Sequence, residues 1–189
     1  MSKNYIKKIK KSDIEDYLGI QIEPNKISIG WDVAMHATGI AIIRTTDTYL
    51  ILDQVHKITV PKNVDLLDGI DLFIAQLEDF KQKVAQKYKV DVNIIEDCWM
   101  GQNVTTLKVL ARFSILVYDR FKNITTKSQL VLPTSARSKI KFKKSNEGIK
   151  GTKLKKEILK YVNFLLETKI EDYDVADAAV LALGGVINV

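Results

Sequence analysis

Cysteine occurs once in this 189-residue chain, at position 98, and histidine twice, at 36 and 56. A single cysteine excludes an internal disulfide and any zinc site built on paired cysteines. Two histidines leave nitrogen-rich metal sites without enough ligands. Oxygen is the only ligand type present in quantity, so a bound metal would be Mg²⁺ or Mn²⁺. Long apolar runs are also missing: none approaches the length of a membrane span. The basic N-terminus, MSKNYIKKIKKSDIEDYL, has no apolar stretch behind it and is not written as a secretory signal. Together these absences point to a reducing, cytoplasmic setting. Internal repeats and an evident domain linker are lacking too, and 46% hydrophobic residues suit one folded domain with a real core.

What the chain does have is unevenly placed charge. The net formal charge is +6, but residues 121–160 hold eleven lysines and one arginine against two glutamates. Residues 1–11 add five lysines and no acid. From position 161 the sign reverses, with Glu167, Glu171, Asp172, Asp174 and Asp177 against Lys169 alone. A basic block beside an acidic cluster suits a protein that holds a polyanion and sets metal ions against it. A solvated lysine-rich surface would give the same count, so charge alone decides nothing.

The local pattern is legible. Ser12-Asp13-Ile14-Glu15 has capping-box spacing and predicts a short helix to about Leu18, with Pro24-Asn25 closing an N-terminal extension over residues 1–25. Strand-like segments follow at 26–33, 38–45 and 48–57, joined by short turns as in an antiparallel meander. Apolar residues at helical spacing predict a helix from Val64 to Tyr88. DVNIIED (91–97) reads as a buried strand, Leu107–Tyr118 as a second long helix, and SQLVLP as a fifth strand stopped by Pro133. Thr134 is a candidate cap for a short helix, followed by the basic loop KFKKSNEGIKGTK. Helices at about 152–167 and 174–185 complete the chain. Three hairpin-linked strands followed by alternating helices and strands predict a mixed five-stranded sheet covered on both faces.

Four carboxylates stand out against this frame. Asp32 ends the first strand in ISIGWD, and Glu96 ends the fourth after Ile94-Ile95. Asp174 and Asp177 open the last helix on one face, and that helix is otherwise apolar. Asp is favoured at helix starts by the dipole, which would account for Asp174 alone. Clustered carboxylates repel, however, and bound cations are what make such a cluster tolerable at neutral pH. Asp97, next to Glu96, should face the other way, because neighbouring strand residues point to opposite faces. His36 reads as a solvated loop residue; His56 and Cys98 read as structural.

The residues carry a resemblance to the RuvC family of Holliday junction resolvases, within the ribonuclease H-like nucleases. GWDVAMHATGIAII resembles that family's opening motif, IIEDCWMGQN its second, and DYDVADAAVLAL its closing Asp-x-x-Asp-Ala helix start, in order over about residues 26–186. The resemblance implies a nuclease domain over 26–189, with Asp32, Glu96, Asp174 and Asp177 as ligands to two Mg²⁺ or Mn²⁺ ions. It implies phosphodiester hydrolysis in branched DNA that leaves a 5′-phosphate and a 3′-hydroxyl. It implies a phosphate-contacting lysine at Lys153, with Lys139 or Arg137 as looser matches, and a base-stacking aromatic at Trp99. The lysines of the basic block (Lys141, Lys143, Lys144 and Lys150) would join Arg137, Lys139 and Lys153 on the DNA. Family members pair through the helix after the Glu motif, here about 103–121, so a homodimer is implied. The small size and basic extension resemble bacteriophage members. One departure is Val33-Ala34, where the family commonly has Pro-Gly.

Three other functions compete. A non-catalytic branched-DNA-binding protein explains the lysines equally well. An RNA-directed nuclease on the same scaffold is equally compatible with phosphate-reading lysines. An actin-like ATPase also has a first strand ending in Asp, but it needs two lobes and glycine-rich phosphate loops that this length cannot hold.

Overall fold

The computed structural model describes residues 7–98, 104–145 and 148–188. The elements run β1 (Lys7–Lys10), α1 (Lys11–Leu18), β2 (Gln21–Ile22), β3 (Ile27–Asp32), β4 (Ala37–Thr45), β5 (Tyr49–Thr59), α2 (Leu66–Lys87) and β6 (Val90–Glu96). They continue with α3 (Val104–Phe121), β7 (Thr125–Val131), α4 (Pro133–Lys139), α5 (Gly151–Leu165), α6 (Tyr173–Gly184) and β8 (Ile187–Asn188). The main sheet has the order β1-β5-β4-β3-β6-β7, and β2 pairs separately with β8. The β5, β4 and β3 strands form the antiparallel meander; β3–β6 and β6–β7 are parallel.

The sheet is one strand wider than the pattern from residue 26 onward predicted. The addition is β1, whose KKIK sequence carries a single apolar residue, Ile9, and pairs antiparallel with β5. The N-terminal segment is therefore bound to the sheet edge. The capping box is not formed: Lys10 occupies the cap position of α1 without a side-chain hydrogen bond, and Glu15 instead accepts from the Ile22 amide at 2.8 Å. Thr134 likewise lies inside α4, where Pro133 takes the first turn.

Strand alternation divides the interior into two layers. Ile29, Trp31, Ile40, Ile42 and Ile95 point to α2 and α3, where Phe80 and Phe121 meet the Trp31 ring edge to face and Phe73 pairs with Phe113. The Trp31 indole donates to Asn93 Oδ1 at 2.6 Å, so its one polar atom is satisfied. His56 stacks on Phe80, and burial lowers its pKa, as befits a structural histidine.

The opposite face carries Ser28, Gly30 and Asp32 of β3 and Gly39, Ala41 and Ile43 of β4 against α6. Small residues on both sides let α6 lie almost on the sheet backbone. A Cβ at Gly30 would fall 2.1 Å from the Ala178 carbonyl oxygen, and one at Gly39 would fall 2.2 Å from that of Asp174. Helix α5 covers α6 through Ile158, Val162 and Leu165.

Far from this face, Asp53 sits nearly buried on β5 and accepts from the Tyr88 hydroxyl and from Lys87 at 3.2 Å, with Arg44 at 3.6 Å. Burial raises its pKa, but the Tyr88 and Lys87 hydrogen bonds and the nearby charges outweigh that and leave it below the ordinary value. A depressed carboxylate stabilises above its unfolded pKa and loses that contribution as pH falls through the folded one. Asp53→Asn should therefore cost about 1–3 kcal/mol at neutral pH, as expected for a disrupted buried network. Urea melts should show the gap to wild type closing below about pH 4. A gap independent of pH would assign the loss to packing.

Candidate active site

Two periodicities and one helix start assemble the acids. Asp32 follows Ser28 and Gly30 on the α6 side of β3, and Glu96 follows Ile94 on the same side of the parallel neighbour β6. Both carboxylates thus emerge at the same end of adjacent strands. Asp32 pairs in register with Gly39, and Gly39 is where the first turn of α6 touches the sheet. Asp174 and Asp177 are delivered to the same place.

The helix start does not need either of them as a cap. Asp172 performs that task, accepting from the amides of Asp174 at 2.9 Å and Val175 at 3.2 Å. Asp177 lies one turn in and is 7% exposed, where no capping requirement explains a carboxylate.

Burial raises the Asp32 pKa well above the ordinary carboxylate value, and the hydrogen bond and charge of Glu96 add to this. Burial also raises Glu96, and it raises Asp177 to about 6 with Asp32's charge contributing. Asp174 goes the other way: hydrogen bonds from Lys155 and Lys57 outweigh its burial.

Three bases face these acids. Lys155 Nζ lies 2.8 Å from Asp174, 3.7 Å from Asp32 and 3.8 Å from Asp177. Arg137 reaches Asp177 at 3.4 Å. Lys57, from β5, bonds Asp174 at 3.0 Å and Asp172 at 2.5 Å. Among the described residues no three acidic, histidine or cysteine side chains converge tightly enough to ligate one ion. Several of them turn instead to the Lys155 ammonium, which occupies the middle of the cluster.

The lysine at the acids is therefore Lys155, whereas Lys153 is exposed on the outer side of α5. Spacing could have separated them: Lys155, Ile158, Val162 and Leu165 follow the three-and-four rhythm of the buried face, and Lys153 does not. Lys57 left no comparable signal, because its partners are more than a hundred residues away in sequence. Of the looser matches, Arg137 is at the site, while Lys139 donates to the Gly184 carbonyl at the far end of α6.

Beside Glu96 and Arg137 opens a cavity of about 1000 Å³ with Lys144 and Lys150 on its lining. Lys141 and Lys143 are exposed on the same basic loop. Asp97 also lines this cavity, its carboxylate accepting from the Cys98 amide. Trp99, with 100–103, lies outside the described residues. His36 is half-buried, its ring near the Val60 carbonyl at 3.3 Å, so it is not the free loop side chain expected.

No protein-family model matches the sequence, and no curated protein does either. Solved structures resemble the fold. RuvC of Thermus thermophilus in complex with a Holliday junction substrate superposes with a TM-score of 0.63 at 10% identity, covering 84% of this chain and 91% of that one. A further Thermus thermophilus RuvC structure gives 0.61 at 11%, covering 84% and 92%. The chain has a RuvC-like, ribonuclease H-like α/β fold. At such identity the likeness concerns the fold alone.

Proposed function

We propose that this protein is a metal-dependent, structure-selective endonuclease acting on Holliday junctions and other branched DNA. The observation that carries this reading is the convergence of Asp32, Glu96, Asp174 and Asp177, from three distant parts of the chain, at one end of the sheet beside a cavity that presents Arg137, Lys144 and Lys150. Buried acids with raised pKa values in a crevice are costly to a fold and typical of a working site. The donor set fits hard divalent ions: it offers only carboxylates, and an ammonium already lies within 4 Å of three of them. Asp32, Glu96, Asp174 and Asp177 would hold two Mg²⁺ or Mn²⁺ ions. Bound there, such ions supply an activated water and charge stabilisation at the leaving oxygen, giving 5′-phosphate and 3′-hydroxyl ends.

The chain's own residues do the rest. Lys57 pins Asp174 against Asp172, fixing the first turn of α6. Arg137 orients Asp177 and faces the cavity, where a phosphate would meet it. Lys155 is held in its charged form by the acids around it and would offer that cation to the phosphate. Lys144, Lys150 and Lys153 extend the positive surface toward the DNA.

Two copies would cut two strands, meeting through α3, whose Val104 and Ile115 are 65% and 54% exposed. The nuclease domain would span 26–189, with residues 1–25 an N-terminal extension whose strand β1 widens the sheet, in a bacteriophage-type cytoplasmic member of the family. No helix among the described residues is long and apolar enough to cross a membrane.

A second reading has one observation in its favour. Lys155 already neutralises the acids, as it would in a branched-DNA-binding protein that does not cut. The test is cleavage of labelled four-way, three-way, linear duplex and RNA–DNA hybrid substrates in Mg²⁺ and in EDTA. Metal-dependent nicks confined to branched DNA are expected. Binding without nicks would establish the second reading, and cleavage of the hybrid alone would make the substrate RNA.

A further inference from the structure

The elements before residue 26 do more than widen the sheet through β1. On α1, Tyr17 is 58% exposed; on α5, Phe164 is 62% exposed; and their rings meet edge to face at 5.3 Å. Two large aromatic side chains left in solvent, from elements distant in sequence, are an unusual expense for a surface. Behind them lie two half-buried aromatic residues. Burial raises the pKa of Tyr161 to about 12, with Tyr17 adding to it, and Tyr161 packs against Phe142 at 5.3 Å. Phe142 belongs to the basic loop, between Lys141 and Lys143.

The outer face of α5 is basic along its length. Lys153, Lys156 and Lys160 are exposed and follow one another at three- and four-residue spacing, with Phe164 next in the same row. The row spans about 16 Å at the rise of an α-helix. It begins close to Lys150 and Gly151 at the cavity edge and ends at the aromatic pair. Glu157, the acid nearest this row on α5, is tied up by Ser145. Glu167 beyond it is bridged to Lys7 at 3.0 Å. Asp13 and Asp16 are the exposed acids that flank Tyr17 on α1, so the cationic character lies on the α5 side.

We propose that α1 and α5 together form a second nucleic-acid contact that takes an unpaired single-stranded segment, with bases stacking on Tyr17 and Phe164 and phosphates following Lys160, Lys156 and Lys153. Charge complementarity selects a polyanion. Exposed rings select one whose bases are unstacked, since a duplex offers no free base faces to an edge-to-face pair. The inference rests on the reading of this protein as a DNA-acting one, and it adds what the acid site lacks: a means to prefer junctions with open or flapped strands.

The test is binding in EDTA, which needs no cleavage, to a labelled oligothymidylate and to a blunt duplex of equal length. Tyr17→Ala/Phe164→Ala should weaken oligothymidylate binding about tenfold or more and leave duplex binding nearly unchanged. It should not alter the salt dependence, because no phosphate contact is lost. Lys156→Ala/Lys160→Ala should instead lower the salt slope on the single strand by about 1.4, at roughly 0.7 per neutralised phosphate. Phe164→Trp keeps a ring; it should retain affinity, with its fluorescence quenched by the oligothymidylate, and this holds as a readout if the double alanine variant folds poorly. Unchanged oligothymidylate affinity without the rings, an equal loss on duplex, or an unquenched tryptophan would overturn the proposal. If wild type binds and cuts junctions while ignoring the rings, this inference alone falls. If wild type binds no DNA, the underlying reading falls with it.

Discussion

Asp32→Asn is expected to lower junction cleavage by roughly 10²–10³-fold or more, the scale seen when a charge-stabilising group is removed from a site, and yet to melt no earlier than wild type in EDTA. Asp32 is 8% exposed and shares a hydrogen bond with Glu96, and its ionisation is opposed by burial and by that neighbour. An amide keeps the shape and hydrogen-bonding capacity and cannot ionise in a place where burial and Glu96 oppose ionisation. Lys155 retains its shortest partner, Asp174 at 2.8 Å. Relief of buried like-charge repulsion should raise stability by about 1–2 kcal/mol. Mn²⁺ should raise the melting temperature of wild type by binding the folded state only, and should do so far less for the variant. An acid retained at a net cost to stability is a signature of function. The idea is sunk if Asp32→Asn still cuts, or if it melts well below wild type in EDTA, which would make the Asp32–Lys155 pair a structural brace.

The acids were readable because each sits where a strong local pattern makes a carboxylate anomalous. Asp32 and Glu96 end apolar strands, and Asp174 and Asp177 interrupt an apolar helix. The meander, α2 and α6 were readable for the same reason, since period-two and period-3.6 burial leave direct traces. Three features were not. β1 is an edge strand with Ile9 as its only buried residue, so no alternation announces it. Lys155 stood among five charged residues in the eight from 150 to 157, and there its helical phase carried the information while the charge count concealed it. Lys57 is one of several polar residues on a strand, and only the tertiary approach of β5 to the start of α6 gives it a role. Such contacts depend on chain topology rather than on local periodicity, and they are what local patterns leave out.

Gly39→Ala tests whether the geometry of the proposed site depends on packing as well as on the acids. The added Cβ would lie 2.2 Å from both the carbonyl carbon and the oxygen of Asp174, and 2.7 Å from the amide nitrogen of Val175. These are backbone atoms of the first turn of α6, so no side chain can swing aside; the turn itself must retreat. Overpacking of this kind costs about 1–3 kcal/mol, offset in part by the reduced entropy of the unfolded alanine chain, and should lower the melting temperature by roughly 3–10 °C. The retreating turn carries Asp174 and Asp177 away from Asp32 and Glu96. Displacement by about 1 Å can cost a site on the order of 10²-fold in rate, so cleavage should fall by that scale although no polar group is changed. Junction binding in EDTA should persist, because the lysines are elsewhere. Gly30→Ala is the informative partner. Its Cβ would meet Ala178 and Ala182 in the middle of α6, at 2.1 and 2.4 Å, lifting the helix centrally and costing more stability for the same loss of rate. Gly148→Ala, with nothing within 4 Å, is the neutral control. If Gly39→Ala cut at the wild-type rate, the first turn of α6 would not be what positions the acids, and the placement of Asp174 and Asp177 in the site would lose its physical basis.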